Sequence, residues 1–201
     1  MNLKNKIVLL FTFLILIIGS SCNKKTSKAN RIIVIQPFDD ISTSEIELFS
    51  KRIKIINPSA IVKKSISLPN LAFYKPRNRY RADSLINYLK QFGNADTVVI
   101  GLTTKDISTT KGNDSDWGVM GLGFHPGDAC IVSTFRLSKK NLTDQLYKVG
   151  IHELGHTQGL PHCTNKTCFM RDAEGENPLN EEKDFCSSCK SFLKTKGWML
   201  N

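Results

Sequence analysis

Apolar residues in this chain fall into short β-branched runs that alternate with longer stretches of helical spacing. Residues 31–36 read Arg-Ile-Ile-Val-Ile-Gln, a run too short and too β-branched for a helix, which predicts a buried strand. Pro37-Phe38-Asp39-Asp40 turns the chain. Ser42 or Thr43 then caps a helix running to about Ile56, with Ile46, Phe49, Ile53 and Ile56 on its apolar face. Residues 60–68 predict a second strand, stopped by Pro69. Residues 80–92 predict a second helix that turns Leu85, Ile86 and Leu89 inward and ends at Gly93-Asn94. Residues 97–102 predict a third strand. The order strand, helix, strand, helix, strand implies parallel pairing with right-handed crossovers, hence an α/β fold.

The periodicity then lapses. Residues 106–116 are a polar loop, and 117–127 are rich in glycine. No Gly-Lys-Ser/Thr closes that stretch, so it is no phosphate loop and reads as a turn or flap leading into the next strand. Residues 129–136 predict that strand. It is expected at the edge of the sheet, where unpaired backbone groups let an extended peptide add as a further strand. Cys130 on it reads as a buried thiol. A helix follows from about Asn141 or Thr143.

The ends of the chain add an address. Lys4 and Lys6 precede an apolar run over residues 7–18, the layout of a secretory signal and short for a membrane-spanning helix of about 20 residues. Gly19-Ser20-Ser21-Cys22 resembles a bacterial lipoprotein signal, although Gly19 stands where leucine is commoner. A lipidated Cys22 would then follow a signal peptide at 1–21; the alternative is an ordinary cleaved signal with a spare cysteine. Residues 22–30, polar and lysine-rich, would tether a single domain at 31–201. This predicts an exported lipoprotein anchored in a bacterial cell envelope, on its periplasmic or surface face. The formal net charge of +10 suits a surface close to anionic headgroups. Its lysines and arginines are scattered, with no basic helix or aromatic platform, which argues against nucleic acid as a partner.

The candidate chemistry is concentrated in residues 152–162, His-Glu-Leu-Gly-His-Thr-Gln-Gly-Leu-Pro-His. Histidines four residues apart share one face of a helix, so His152 and His156 can hold one metal ion. Gly159 stands where the helix should stop and can take the left-handed conformation that reverses the chain; Pro161 discourages a restart. His162 then returns as a third ligand. Three nitrogens leave a fourth tetrahedral position open, as a catalytic zinc requires, and Glu153 is free to act as a base. His125 precedes Pro126 and reads as a loop histidine rather than a ligand. Cys163, Cys168, Cys186 and Cys189 form two close pairs joined by a longer connection, the layout of a four-thiolate structural zinc site.

His-Glu-x-x-His-x-x-Gly-x-x-His-Cys, then Cys-x-Met at Cys168 to Met170, then Cys-x-x-Cys at Cys186 to Cys189, resembles the archaemetzincins (archaelysins), a branch of the metzincin metallopeptidases. The likeness runs from about Thr97 to Cys189 and includes residues 101–106 and 133–137. Before Thr97 only the strand-helix order is shared. The Met170 to Cys186 segment is shorter than is usual in that family, and Gly175 and Pro178 within it suit a loop that absorbs the difference. The resemblance implies a mixed α/β metzincin-like fold: a twisted, mainly parallel sheet with an antiparallel edge strand, helices packed on it, a long active-site helix, and a small C-terminal subdomain stapled by zinc. It implies a catalytic zinc on His152, His156 and His162, Glu153 as general base and acid, Met170 as the Met-turn residue beneath the metal, and a second zinc on the four cysteines. It also implies a peptide or protein substrate, and the chain is expected to be a monomer.

Two alternatives stay open. Outside the cytoplasm the cysteines can instead pair as Cys163–Cys168 and Cys186–Cys189, each closing a very small loop that constrains the unfolded chain little. The whole can also be a catalytically silent, zinc-containing surface lipoprotein that binds peptides or proteins; an intact Glu153 speaks against that.

Overall fold

A computed structural model describes residues 31–201; the predicted signal, Cys22 and the tether lie outside them. Strand β1 (Ile32–Pro37) is followed by helix α1 (Thr43–Ile56), and the predicted start of that helix is closed by a reciprocal cap between Ser42 and Glu45. Strand β5 (Thr97–Thr103) lies beside β1, and β9 (Ala129–Ser133) beside β5, both in parallel. Strand β2 (Ile61–Val62) adds in parallel on the far side of β1, while β8 (Gly121–Gly123) adds antiparallel to β9. The main sheet therefore has the order β2-β1-β5-β9-β8.

Its central strands are buried on both faces, which is why they read as continuous apolar runs. Ile33, Ile35, Val98, Ile100, Cys130 and Val132 point to one face, against Phe49 and Ile53 of α1 and against α3 (Leu142–Gln158). Val34, Val99, Ala129 and Ile131 point to the other, against Leu85, Ile86 and Leu89 of α2 (Ala82–Leu89). Cys130 is fully buried, as predicted for a core thiol.

Two expectations are corrected. The strand predicted over 129–136 ends at Ser133 and is not the edge, because β8 pairs with its outer side. A three-residue Gly-Leu-Gly strand carries no β-branched residue and so gives no strand pattern in the sequence. The stretch predicted as a loop from Asp106 to Asp116 instead forms a hairpin, β6 (Ile107–Lys111) with β7 (Asp114–Val119). With β3 (Phe73–Tyr74) and β4 (Arg79–Arg81) the hairpin makes a second sheet, ordered β3-β4-β6-β7. The second predicted strand, 60–68, shrinks to β2 and a single bridge between Phe38 and Ile66.

The C-terminal segment carries helix α4 (Ser187–Thr195) and packs on the α1–α3 side of the sheet. Phe185 stacks edge-on to Phe169 and Trp198, and the Met199 amide donates to the Ile56 carbonyl at 2.9 Å.

Candidate active site

Helix α3 delivers His152, Glu153 and His156 to the floor of a cleft of about 790 Å³. It stops where the sequence predicts. Gly159 takes φ 103°, a conformation costly for any residue with a Cβ, and its amide bonds back to the last turn. The reversal brings the Leu160 carbonyl to His156 Nδ1 at 2.8 Å and returns His162 to the metal face.

All three histidines are held at Nδ1. That of His152 meets the Phe169 carbonyl at 2.7 Å, and that of His162 meets Asp172 Oδ2 at 3.1 Å. A carbonyl only accepts, so the protons of His152 and His156 sit on Nδ1 and their Nε2 lone pairs are free. Those two Nε2 atoms lie 3.0 Å apart. With no proton between them they repel, and a cation shared between them removes the repulsion. Tetrahedral nitrogens about 2.1 Å from zinc stand roughly 3.4 Å apart, close to this separation. Burial holds both rings neutral: His152 is pushed down to about 3, with help from His156, and His156 to about 4. The donor set fits zinc.

Glu153 is buried, with burial raising its carboxyl to about 8 while the Gly123 amide pulls the other way. Strand β8 lies directly over it. A Cβ at Gly121 would come within 2.7 Å of Glu153 Cγ and Oε1, so glycine there lets the edge strand press against the base. Met170 is fully buried beneath the helix, and a Cβ at Gly155 would come within 2.6 Å of its Sδ. Met170 thus packs beneath the helix that carries His152 and His156.

His125 lines the same cleft, but its Nε2 donates to the Gly159 carbonyl at 2.8 Å and braces the helix end. It stands apart from the three-histidine group, as read from the sequence. Asp172, Gly121 and Gly123 contribute to the site unforeseen. Asp172 lies in a loop without periodicity, and a glycine's role in admitting a neighbour is invisible without that neighbour.

The four cysteines also converge. Their sulfurs lie within 4.8 Å of one another, and all are thiols. The closest named pair, Cys163 Sγ and Cys186 Sγ, is 3.7 Å apart; sulfurs about 2.3 Å from a tetrahedral zinc stand roughly 3.8 Å apart. That pair crosses the two local pairs that disulfides would join. Burial opposes ionisation of Cys186, yet hydrogen bonds from Ser188, the Cys189 amide and the Cys189 and Cys163 thiols outweigh it and bring it down to about 6. Cys168 Sγ accepts from the Met170 and Cys186 amides at 3.5 and 3.3 Å. This donor set fits zinc too.

Residues 29–195 match the model of peptidase family M54. The archaemetzincin of Haloquadratum walsbyi is 30% identical over 145 residues, 66% of this chain and 81% of that protein. The crystal structure of the Archaeoglobus fulgidus archaemetzincin superposes with a TM-score of 0.68 at 25% identity, over 80% of this chain and 98% of that one. For the Methanopyrus kandleri archaemetzincin the TM-score is 0.70 at 26% identity, over 83% and 95%. Motif, site geometry and fold agree: the chain belongs to peptidase family M54, the archaemetzincins, and is a zinc metallopeptidase.

Proposed function

We propose that the chain hydrolyses peptide bonds with Glu153 as general base and acid, on a zinc held by His152, His156 and His162. The observation that carries this is the placement of one buried carboxylate beside three convergent imidazoles whose Nδ1 atoms are already committed. Zinc held there supplies Lewis acidity to a water and a peptide carbonyl, and its charge favours the ionised form of Glu153. Glu153 accepts the water's proton on a carboxylate oxygen and delivers it to the leaving amine. Strand β8 offers its free edge to an extended substrate, which places the scissile bond over the floor of the cleft. Cys163, Cys168, Cys186 and Cys189 hold a second, structural zinc, as the match of their spacing to a four-thiolate shell supports.

Residues 31–201 form the catalytic domain and act as a monomer. Residues 22–30 tether it to a lipid on Cys22 in a bacterial envelope, a reading that rests on the sequence of the first 22 residues.

A peptide-library digest with and without chelator tests the reading. Chelator-sensitive cleavage is expected. Glu153→Ala keeps its zinc and loses turnover by about a thousandfold or more, whereas His156→Ala loses the zinc itself. Hydrolysis retained in zinc-loaded Glu153→Ala refutes the role of the base. No chelator-sensitive cleavage of any peptide favours a binding protein instead.

A further inference from the structure

One buried charge in the cleft has no use in the chemistry above. Glu182 lines the cleft, is 3% exposed, and has no hydrogen-bond partner at Oε2. A buried carboxylate without a partner costs several kcal/mol of desolvation, so its retention calls for a reason. Two cations lie near enough to act on it, Lys148 and Arg171, but both are engaged elsewhere. Lys148 Nζ is held by Asp144 at 2.9 Å and by the Leu179 carbonyl at 2.7 Å. Arg171 pairs with Glu181 at 2.6 Å.

The position is informative. Lys148 and Val149 lie about one turn of α3 before His152, and Val149 and Leu179 line the cleft together with Glu182. Glu182 therefore shares with Val149, Leu179 and Arg171 a partly apolar part of the cleft lining, near the metal face. That lining suits a long side chain with an apolar stem and a cationic tip. The loop bearing it is acidic as well, through Asp172, Glu174 and Glu176, of which Asp172 is committed to His162.

We propose that Glu182 is a specificity-determining residue, selecting substrates with a lysine or arginine side chain next to the scissile bond. The proposal rests on the peptidase reading for the word "scissile", not for the binding preference itself. Burial pushes the Glu182 carboxyl up to about 7 against the pull of Lys148 and Arg171, the state of a carboxylate that lacks a contact cation. An incoming ammonium or guanidinium supplies that cation and restores full ionisation.

The test uses the zinc-loaded chain and peptides whose cleavable amide is replaced by a reduced bond. Members of the set differ only in lysine, norleucine or glutamate at each position flanking that bond. Calorimetry should show lysine binding about tenfold or more tighter than norleucine at one of the two positions, with glutamate weakest. Glu182→Gln should erase the lysine advantage and leave norleucine unchanged. Norleucine binding as well as lysine at both positions, or a lysine advantage that survives Glu182→Gln, overturns the proposal. If that variant does not fold, the order lysine, norleucine, glutamate in the unaltered chain decides alone. Turnover of the matching amide peptides reports on the peptidase reading separately: a lysine preference without any cleavage sinks that reading and leaves this one standing.

Discussion

The histidine cluster and the cysteine cluster, each able to hold a metal ion, come from adjoining stretches of chain and differ in what surrounds them. The histidines are held from behind, each at Nδ1, and face an open cleft of about 790 Å³. The cysteines are enclosed by their own loops: backbone amides of Met170 and Cys186 donate to Cys168, and Cys186 stands immediately before α4. An open face leaves a position for a reacting molecule, whereas a closed shell spends all its ligands on holding the chain. The contrast separates chemistry from architecture within one short segment.

The clusters are also joined. His162 adjoins Cys163, and the Cys163 amide donates to the Met170 carbonyl at 2.7 Å. Phe169, whose carbonyl fixes His152, lies between Cys168 and Met170. The cysteine cluster therefore grips two of the three histidines indirectly. Changing Cys186 and Cys189 to serine together should give the largest effect: loss of one zinc per chain, a fall of many degrees in melting temperature, and a weakening of zinc binding at the histidines by tenfold or more. Metal analysis with a competing chelator reads both sites. Unchanged affinity at the histidines would mean that the clusters are independent.

Gly121→Ala sharpens the comparison from the open side. The new methyl would meet Glu153 and Val149 Cγ1, the latter at 2.8 Å, so β8 must lift or the base must move. Turnover should fall by about 10- to 100-fold with both zinc ions retained, because a misplaced base loses proton transfer and not the metal. Steady-state kinetics beside metal content checks this.

Legibility in the sequence follows the same division. Strands buried on both faces and helix α1 carry their reason in their own residues: Ile32 to Ile35 is a β-branched run, and Ser42 with Glu45 is a reciprocal cap. The convergence of the two donor clusters is legible as well, because helical spacing and a glycine stop fix where His152, His156 and His162 can meet. What was missed depends on neighbours distant in sequence. Strand β8 has only Leu122 between two glycines and exists because β9 pairs with it and α3 admits it closely. The β6–β7 hairpin is rich in Ser, Thr and Asp and is fixed by Arg79 and Arg136 pairing with Asp106 at 3.1 and 2.8 Å. Asp172 and Glu182 acquire their roles only through His162 and through burial.

Asp172→Asn is a milder test of how the open site is held. His162 is the most exposed of the three histidines and the one oriented by a carboxylate, whereas the other two lean on carbonyls. An amide keeps the shape and removes the charge. Zinc affinity at the histidines should fall by about 10- to 100-fold, with the cysteine site and the melting temperature of the metal-loaded chain little changed. Equal affinity in both proteins would leave Asp172 without an orienting role.

A further test concerns the metal-free chain and isolates the cost of burying Glu153. Its folded value of about 8 lies above an ordinary carboxyl value of 4.5, so the folded state binds the proton more tightly than the unfolded state does. That contribution to stability is complete below about 4.5 and is lost as pH rises toward 8, by roughly 1.4 kcal/mol for each unit crossed. Glu153→Gln removes the titration and keeps the shape. Stripped of metal, the variant and the parent should melt alike at pH 4.5, and the variant should gain steadily on the parent until pH 8, where the gap levels off. His152 and His156 titrate on the acid side in both proteins and cancel from the difference. A gap that stays constant from pH 5 to 8 would mean that β8 and α3 do not hold the carboxylate in a dry site, and the contrast between an open metal face and a buried base would fail with it.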